Sequence, residues 1–347
     1  MIHRRKSKVI KIGNSFIGGN NDILVQSMLK IPSYDIESNV SQAKDLESNG
    51  CQILRVSIPD KNSLDLIYNL KKNVKIPIVA DIHFDYNLAI ESVFAGADKI
   101  RINPGNIERS NLKKIIEVCK VKNVPIRIGI NSGSIEKKFL REFENSSDSM
   151  IASALESIKF FENLGFNNIV LSLKSSDVNE CIYLYEKISS LCNYPLHIGV
   201  TESGTEKSGV VKSCIGIGSL LSRGIGDTIR VSLTADPIKE IELGYQILKS
   251  LNLCSGVEVI SCPTCGRTTI DVRGLADSVE RMTKNIKKNL KIAVMGCPVN
   301  GPGESRNADF GITGANGMGI IFKKGQVVKK VPEESLIEEL KKMIYLE

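Results

Sequence analysis

Eight short runs rich in valine and isoleucine recur between residues 20 and 252, with amphipathic stretches between them. The runs are ILVQSM (23–28), CQILRVSI (51–58), IPIVADIH (76–83), DKIRIN (98–103), VPIRIGIN (124–131), NIVLSLK (168–174), PLHIGVTE (195–202) and TIRVSL (228–233). Most are near-continuous apolar runs, the pattern of parallel strands buried on both faces. The intervening stretches, such as SNLKKIIEVCK (110–120), MIASALESIKFFENLG (150–165) and DPIKEIELGYQILKSLN (236–252), place apolar residues at helical spacing. Several end in Gly or Asn directly before the next run, as in LESNGCQILRV. Parallel strands need crossover helices, and eight βα units in about 230 residues predict an α/β fold, a (β/α)8 TIM-type barrel. An open doubly wound sheet is the alternative, because periodicity does not report closure.

After residue 252 the texture changes. GVEVISCP and KIAVMGCP read as strands that run into Cys-Pro, and GLADSVERMTKNIKKN between them reads as a helix. DFGITGANGMGIIFKKGQVVKKV reads as Gly-punctuated short strands, and PEESLIEELKKMIYLE closes the chain as an amphipathic helix. The expected organisation is a barrel over residues 1–253 and a small α+β domain over 254–347.

In a (β/α)8 barrel the carboxyl ends of the strands carry the chemistry, and here those ends are polar. Arg55 lies in the second run, Asp81 and His83 end the third, and Arg101 and Asn103 end the fourth. Arg127 and Asn131 lie in the fifth, Lys174 ends the sixth, Glu202 ends the seventh, and Arg230 and Ser232 lie in the eighth. Arg101 and Asn103 are two apart and share a face, as do Arg230 and Ser232. Leaving a buried charge without its partner costs on the order of 3–5 kcal/mol. Asp81 and Glu202 can neutralise part of this charge as core ion pairs, yet five cations outnumber these two acids. The surplus calls for an external anion, and arginine forks match phosphate oxygens. The pattern predicts a pocket for a compact ligand carrying more than one phosphate.

The nine cysteines divide by context. Cys51, Cys119, Cys181, Cys192 and Cys214 lie singly in apolar-periodic segments and read as small buried hydrophobes. Cys262, Cys265 and Cys297 sit among Pro and Gly. A zinc site would want a fourth Cys or His; this domain has no His, and Cys254 is the remaining thiol. A redox C-x-x-C pair would leave Cys297 unexplained. Three thiolates suit a [4Fe–4S] cube whose special iron is open or carries a displaceable hard ligand. Glu304 is the nearest carboxylate to Cys297; its plain alternative is a solvated turn residue.

Composition narrows the partners. The net charge is +7 with no block of like charges, Trp is absent and aromatics are 5%, so nucleic acid is not expected. No apolar run is long enough to span a membrane. MIHRRKSKVIKIGN is basic but no apolar core follows it, which predicts no signal peptide and a cytoplasmic location. An odd number of cysteines in such a chain argues against a disulfide framework.

Together SCPTCGRT, GCPVNGPGE, RINPGN, DIHFD, SLKSSD, GVTESG and GIGDTIRVSLTADP resemble the motifs of the 4-hydroxy-3-methylbut-2-en-1-yl diphosphate synthase family, iron–sulfur enzymes of the non-mevalonate isoprenoid pathway. The resemblance covers nearly the whole chain and is to the two-domain bacterial form. One departure is TESGTEKSG, where the family more often has T-E-A-G; the acid is kept as Glu202. The resemblance implies reductive ring opening of 2-C-methyl-D-erythritol 2,4-cyclodiphosphate, with two electrons and loss of water. It implies a cube held by Cys262, Cys265, Cys297 and Glu304, and makes Cys254 a linker thiol. It implies that Arg55, Arg101, Arg127, Lys174 and Arg230, with Asn103 and Ser232, hold the phosphates, and that Asn131 lines the pocket. A substrate oxygen would take the place of Glu304 on the special iron, and Glu202, or His83 with Asp81, would deliver the proton. Flavodoxin or ferredoxin is the implied electron donor.

The connection between the domains carries one more expectation. A helix of about 15 residues, roughly 22 Å long, returns the chain to the bottom of the barrel after the eighth strand. LCSGV then reaches under about 18 Å, too short to climb back to the chain's own active-site face. A head-to-tail homodimer, each small domain capping its partner's barrel, is expected, and the resemblance implies the same. The competing readings are a zinc-bound structural domain on a phosphate-binding lyase or transferase barrel, and a cluster protein that only carries electrons.

Overall fold

All eight apolar runs contribute strands to one parallel sheet. The computed structural model describes residues 2–131, 135, 137–284, 286–297, 305–315 and 317–346. They fold as two units, Met1–Leu251 and Asn252–Glu347.

In the first unit the barrel strands are β3 (Leu24–Met28), β4 (Ile53–Ser57), β5 (Ile78–Asp81), β6 (Lys99–Ile102), β7 (Ile126–Asn131), β8 (Ile169–Lys174), β9 (His197–Ile198) and β10 (Thr228–Ile229). Their hydrogen-bonded order is β8-β7-β6-β5-β4-β3-β10-β9, and the isolated parallel bridge Leu171–Leu196 links β8 to the entry of β9. That bridge closes the circle and decides for the barrel over an open sheet. The crossovers are α1 (Ile36–Ser48), α2 (Leu64–Asn73), α3 (Tyr86–Phe94), α4 (Arg109–Lys122), α5 (Lys137–Glu142), α6 (Ser146–Asn163), α7 (Val178–Leu191), α8 (Glu206–Ser222) and α9 (Pro237–Ser250). Asx side chains start most of them: Asp35, Asp85, Asn145, Asp177 and Asp236 each accept a backbone N–H of the first turn.

Two features differ from the sequence expectation. A hairpin, β1 (Ile10–Ile12) and β2 (Ser15–Ile17), precedes the barrel. Its turn is Gly13-Asn14, with Gly13 at φ 56°, the left-handed conformation that favours glycine. Ile10, Ile12 and Ile17 pack on Leu24, Ile53, Val79 and Val170, the inward residues at the start of four strands, and so plug the amino-terminal end of the barrel. The last two barrel strands are short. Arg230 still donates its N–H to Ile198 O at 3.1 Å, but Arg230, Ser232 and Glu202 lie beyond the strand ends rather than within them.

The second unit is α+β. Its sheet runs β11 (Val257–Ser261), β12 (Leu290–Val294), β13 (Phe310–Ala315), β14 (Met318–Lys323) and β15 (Gln326–Pro332), parallel as far as β13 and antiparallel after it. Helices α10 (Val272–Thr283) and α11 (Leu336–Tyr345) join one core with it, including Val279, Leu336, Leu340, Ile292, Ile312 and Ile321.

Candidate active site

Side chains two residues apart on a strand face the same way, and the barrel register sets those rows beside one another. Asp81 pairs across to Arg101, Arg101 to Arg127, Gly129 to Ser172, and Asn131 to Lys174. Buried Asp81 anchors the cluster: Arg55 Nη2 lies 2.6 Å from its Oδ2, Arg101 Nη1 3.3 Å from its Oδ1, and His83 Nε2 3.3 Å from its Oδ2. Burial alone would raise its pKa, but Arg55, the His83 hydrogen bond and Arg101 outweigh it and hold Asp81 well below the usual carboxylate range.

Glu240, with Asp81 and Asp227 one of three buried acids among the described residues, takes the place expected of Glu202 in the cluster. It lies on α9, meets Lys30 at 2.9 Å and Arg230 at 3.6 Å, and accepts the Leu233 N–H at 2.9 Å. Glu202 is exposed, at φ 50°, and pairs with no cation among the described residues. A non-glycine residue in that conformation stores strain of the kind that gathers at functional sites. The sequence signal for Glu240 was an acid on the apolar face of DPIKEIELGYQIL.

Lys99 is a sixth cation that the strand-end reading missed, although it stands two residues before Arg101 on the same inward row. It is completely buried, and its Nζ has no hydrogen-bond partner among the described residues. Arg127 is 1% exposed with Nε and Nη1 unpartnered, and the Nε atoms of Arg55, Arg101 and Arg230 are in the same state. Burial first, and then repulsion from neighbouring arginines, pulls Lys99, Arg127 and Lys174 well below their ordinary pKa values. Within this cluster six cations therefore face two carboxylates, Asp81 and Glu240, among the described residues. Gly129 creates room for one of them: a Cβ there would lie 2.5 Å from Arg101 Nε.

The remaining candidates sit around this cluster. Asn103 is buried and caps the next turn, its Oδ1 accepting Gly105 N–H at 3.1 Å. Asn131 and Ser232 are half-buried, and His83 is half-exposed beside Asp81. Lys174 Nζ lies 3.4 Å from Nε2 of buried His197.

In the second unit Cys262 follows β11 and Cys297 lies three residues after β12, at the carboxyl ends of adjacent parallel strands. Cys262 N–H donates to Val294 O at 3.0 Å, and Thr269 N–H to Gly296 O at 3.0 Å, which tie the two turns together. Thr264 takes φ 55° to turn the chain between Cys262 and exposed Cys265. A hydrogen bond from the Arg267 side chain draws the Cys265 thiol below its ordinary pKa. Three thiols and no imidazole fit a thiolate-held cluster in donor type. No three His, Cys, Asp or Glu side chains among the described residues converge closely enough to hold a metal ion. Glu304 lies outside the described residues. Cys51, Cys119 and Cys181 are buried as expected, and burial pushes the first two thiols to about 12. Cys214 was expected to be buried and is exposed, because α8 turns it away from the barrel.

The fold and the cation cluster define a TIM-barrel protein with a surplus of buried cations in its interior, joined in sequence to a separate thiol-bearing α+β unit. A family model for the GcpE TIM-barrel domain matches residues 7–245, and one for the GcpE protein C-terminal domain matches residues 258–345. The chain is 57% identical to the 4-hydroxy-3-methylbut-2-en-1-yl diphosphate synthase (flavodoxin) of Caldanaerobacter subterraneus subsp. tengcongensis, across 99% of this chain and 98% of that protein. It is 54% identical to the same-named protein of Fusobacterium nucleatum subsp. nucleatum, across 98% and 97%. A solved structure of dihydropteroate synthase from Stenotrophomonas maltophilia shares the barrel fold alone, with TM-score 0.53, 13% identity, and coverage of 70% of this chain and 99% of that one. The chain belongs to the GcpE family of 4-hydroxy-3-methylbut-2-en-1-yl diphosphate synthases and is an enzyme.

Proposed function

We propose that the chain converts 2-C-methyl-D-erythritol 2,4-cyclodiphosphate to (E)-4-hydroxy-3-methylbut-2-enyl diphosphate, with two electrons and loss of water. The observation that carries the reading is the set of buried guanidinium and ammonium nitrogens without hydrogen-bond partners among the described residues, those of Arg127 and Lys99 above all. Orphaned buried donors are costly, and a cyclic diphosphate would satisfy them with oxygen acceptors and negative charge. Arg55, Arg101, Arg127, Lys174 and Arg230 would grip the phosphates, Asn103 and Ser232 would add neutral hydrogen bonds, and Asn131 would line the pocket. The Asp81 carboxylate orients Arg55, Arg101 and His83 together. Glu202, or His83 held by Asp81, would donate the proton that lets water leave.

Cys262, Cys265 and Cys297, with Glu304 as the displaceable fourth ligand, would hold a [4Fe–4S] cluster. When bound, that cluster supplies single electrons and, at its unique iron, a Lewis-acid position for a substrate oxygen. The donor would be flavodoxin, which the relatives' names carry, or ferredoxin. No helix among the described residues is long and apolar enough to cross a membrane, in keeping with a cytoplasmic enzyme. A head-to-tail homodimer remains part of the proposal, supported by the six residues that separate Ser250 from Val257.

Anaerobic purification followed by iron analysis and turnover of the cyclic diphosphate with a reductant tests the reading. The expected result is a brown protein with about four irons per chain and reductant-dependent product. A colourless zinc protein, or an iron protein inert toward this substrate, would overturn it.

A further inference from the structure

His197 stands in none of the roles above, yet it is fully buried at the centre of the cation cluster. Its Nε2 lies 3.4 Å from Lys174 Nζ, and its Nδ1 lies 2.8 Å from Thr228 Oγ1, its partner in the β9–β10 register. Lys174 in its ammonium form only donates; Nε2 is then the acceptor and Nδ1 carries the hydrogen that Thr228 accepts. The Tyr185 hydroxyl donates to His197 O at 2.7 Å and fixes the backbone beneath the ring. The contact is therefore held from both ends.

We propose that His197 is the positioning residue for Lys174: a neutral imidazole, set by Thr228, that orients the ammonium without cancelling its charge. A carboxylate in that place would orient Lys174 equally well but would spend its charge on a permanent ion pair. A neutral acceptor leaves it for an arriving anion. The charged groups facing the imidazole are Lys174 from β8, Arg127 from β7, Lys99 from β6 and Arg55 from β4, with Cys181 and Tyr185 of α7 packed near them. Burial and these four cations oppose protonation of the ring, so the acceptor is kept across the physiological range. The role in ligand binding rests on the diphosphate reading of the pocket; the hydrogen-bond assignment does not.

Two measurements on the cluster-loaded enzyme test this. In ¹⁵N-histidine NMR, with only three histidines in the chain, His197 should remain in the neutral Nδ1–H tautomer from pH 8 to pH 5. In calorimetry, His197→Leu should weaken inorganic diphosphate binding on the order of tenfold, and His197→Gln, whose amide can both accept and donate, should restore most of it. With the cyclic diphosphate the loss should appear in KM rather than kcat. A His197 that titrates near its ordinary value, or carries its hydrogen on Nε2, overturns the proposal. So does a folded His197→Leu protein that binds diphosphate as the parent does. If the parent itself ignores diphosphate, the pocket reading fails, and the tautomer still decides the His197–Lys174 contact.

Discussion

Replacing Gly129 by alanine adds one carbon at a crowded point of the barrel interior. That Cβ would lie 2.5 Å from Arg101 Nε, 3.2 Å from Arg101 Nη2 and 3.2 Å from Ser172 Oγ. Arg101 is 5% exposed, so its guanidinium cannot swing into solvent. It is also tied to Asp81 at 3.3 Å and to Gly129 O at 3.5 Å. The side chain must shift along the barrel axis and loosen the Asp81 pair. Overpacking of this kind costs about 1–3 kcal/mol of stability. Losing one charge-assisted contact to a phosphate costs a further ~1.5–3 kcal/mol of binding, which is about ten- to hundredfold in affinity. Urea denaturation reads the first effect, and titration of inorganic diphosphate into the holoenzyme reads the second. Gly218→Ala is the control: nothing lies within 4 Å of its added carbon on α8, so it should gain up to ~1 kcal/mol of helix propensity and bind normally. If Gly129→Ala matched the parent in both midpoint and affinity, the crowded geometry around Arg101 would be wrong.

Lys99→Met should stabilise the ligand-free protein by about 1–4 kcal/mol, because an apolar side chain of similar volume replaces an unpaired buried cation, while raising KM. The gain should shrink as pH rises toward 10.5, since Lys99 is depressed from that value when folded and only the unfolded chain still binds its proton there. Acid should erode stability in two windows, followed by denaturation midpoints across pH. The first opens below about 6.5, where the unfolded chain protonates His197 and the folded barrel resists; the second opens below about 3.9, where Asp81 does the same. His197→Gln should abolish the His197 part of the first window. For the homodimer, mixing Arg127→Met with Cys297→Ser, each inactive alone, should restore partial turnover, whereas a barrel served by its own cluster unit would give none. Arg127→Met and Lys174→Met should weaken diphosphate binding more than Arg55→Met, as competition titrations would rank them.

The barrel was legible because parallel strands buried on both faces leave long apolar runs, and these survive polar interruptions at Arg55, Arg101 and Arg127. Other features left weaker traces. Strands of three residues, as in the hairpin at Ile10–Ile17, are shorter than any reliable periodicity window. Strand position alone does not report which acids pair with the cluster. Glu202 follows a strand but is exposed in a left-handed turn and pairs with no cation among the described residues, while Glu240 reaches in from a helix, which no period-2 pattern on the strands reports. Lys99 could have been found by extending the Arg101/Asn103 row one step toward the amino end. Gly129 sat in plain view in RIGIN, where a glycine within a strand marks a close approach.

The placement of Asp81 and Glu240 explains how one cluster can be both ordered and unsatisfied. Asp81 fixes Arg55, Arg101 and His83, and Glu240 fixes Lys30 and Arg230. Lys99, Arg127 and Lys174 form no ion pair with a carboxylate among the described residues. The first group is therefore oriented at the expense of its charge, and the second keeps its charge at the expense of stability. A pocket made wholly of the first kind would be rigid but weakly attractive, and one made wholly of the second would repel itself apart. On the proposed diphosphate reading, dividing the work would let the paired arginines set geometry while the unpaired cations supply the field for the ligand. A neutral imidazole at Lys174 gives that cation orientation without moving it into the first group.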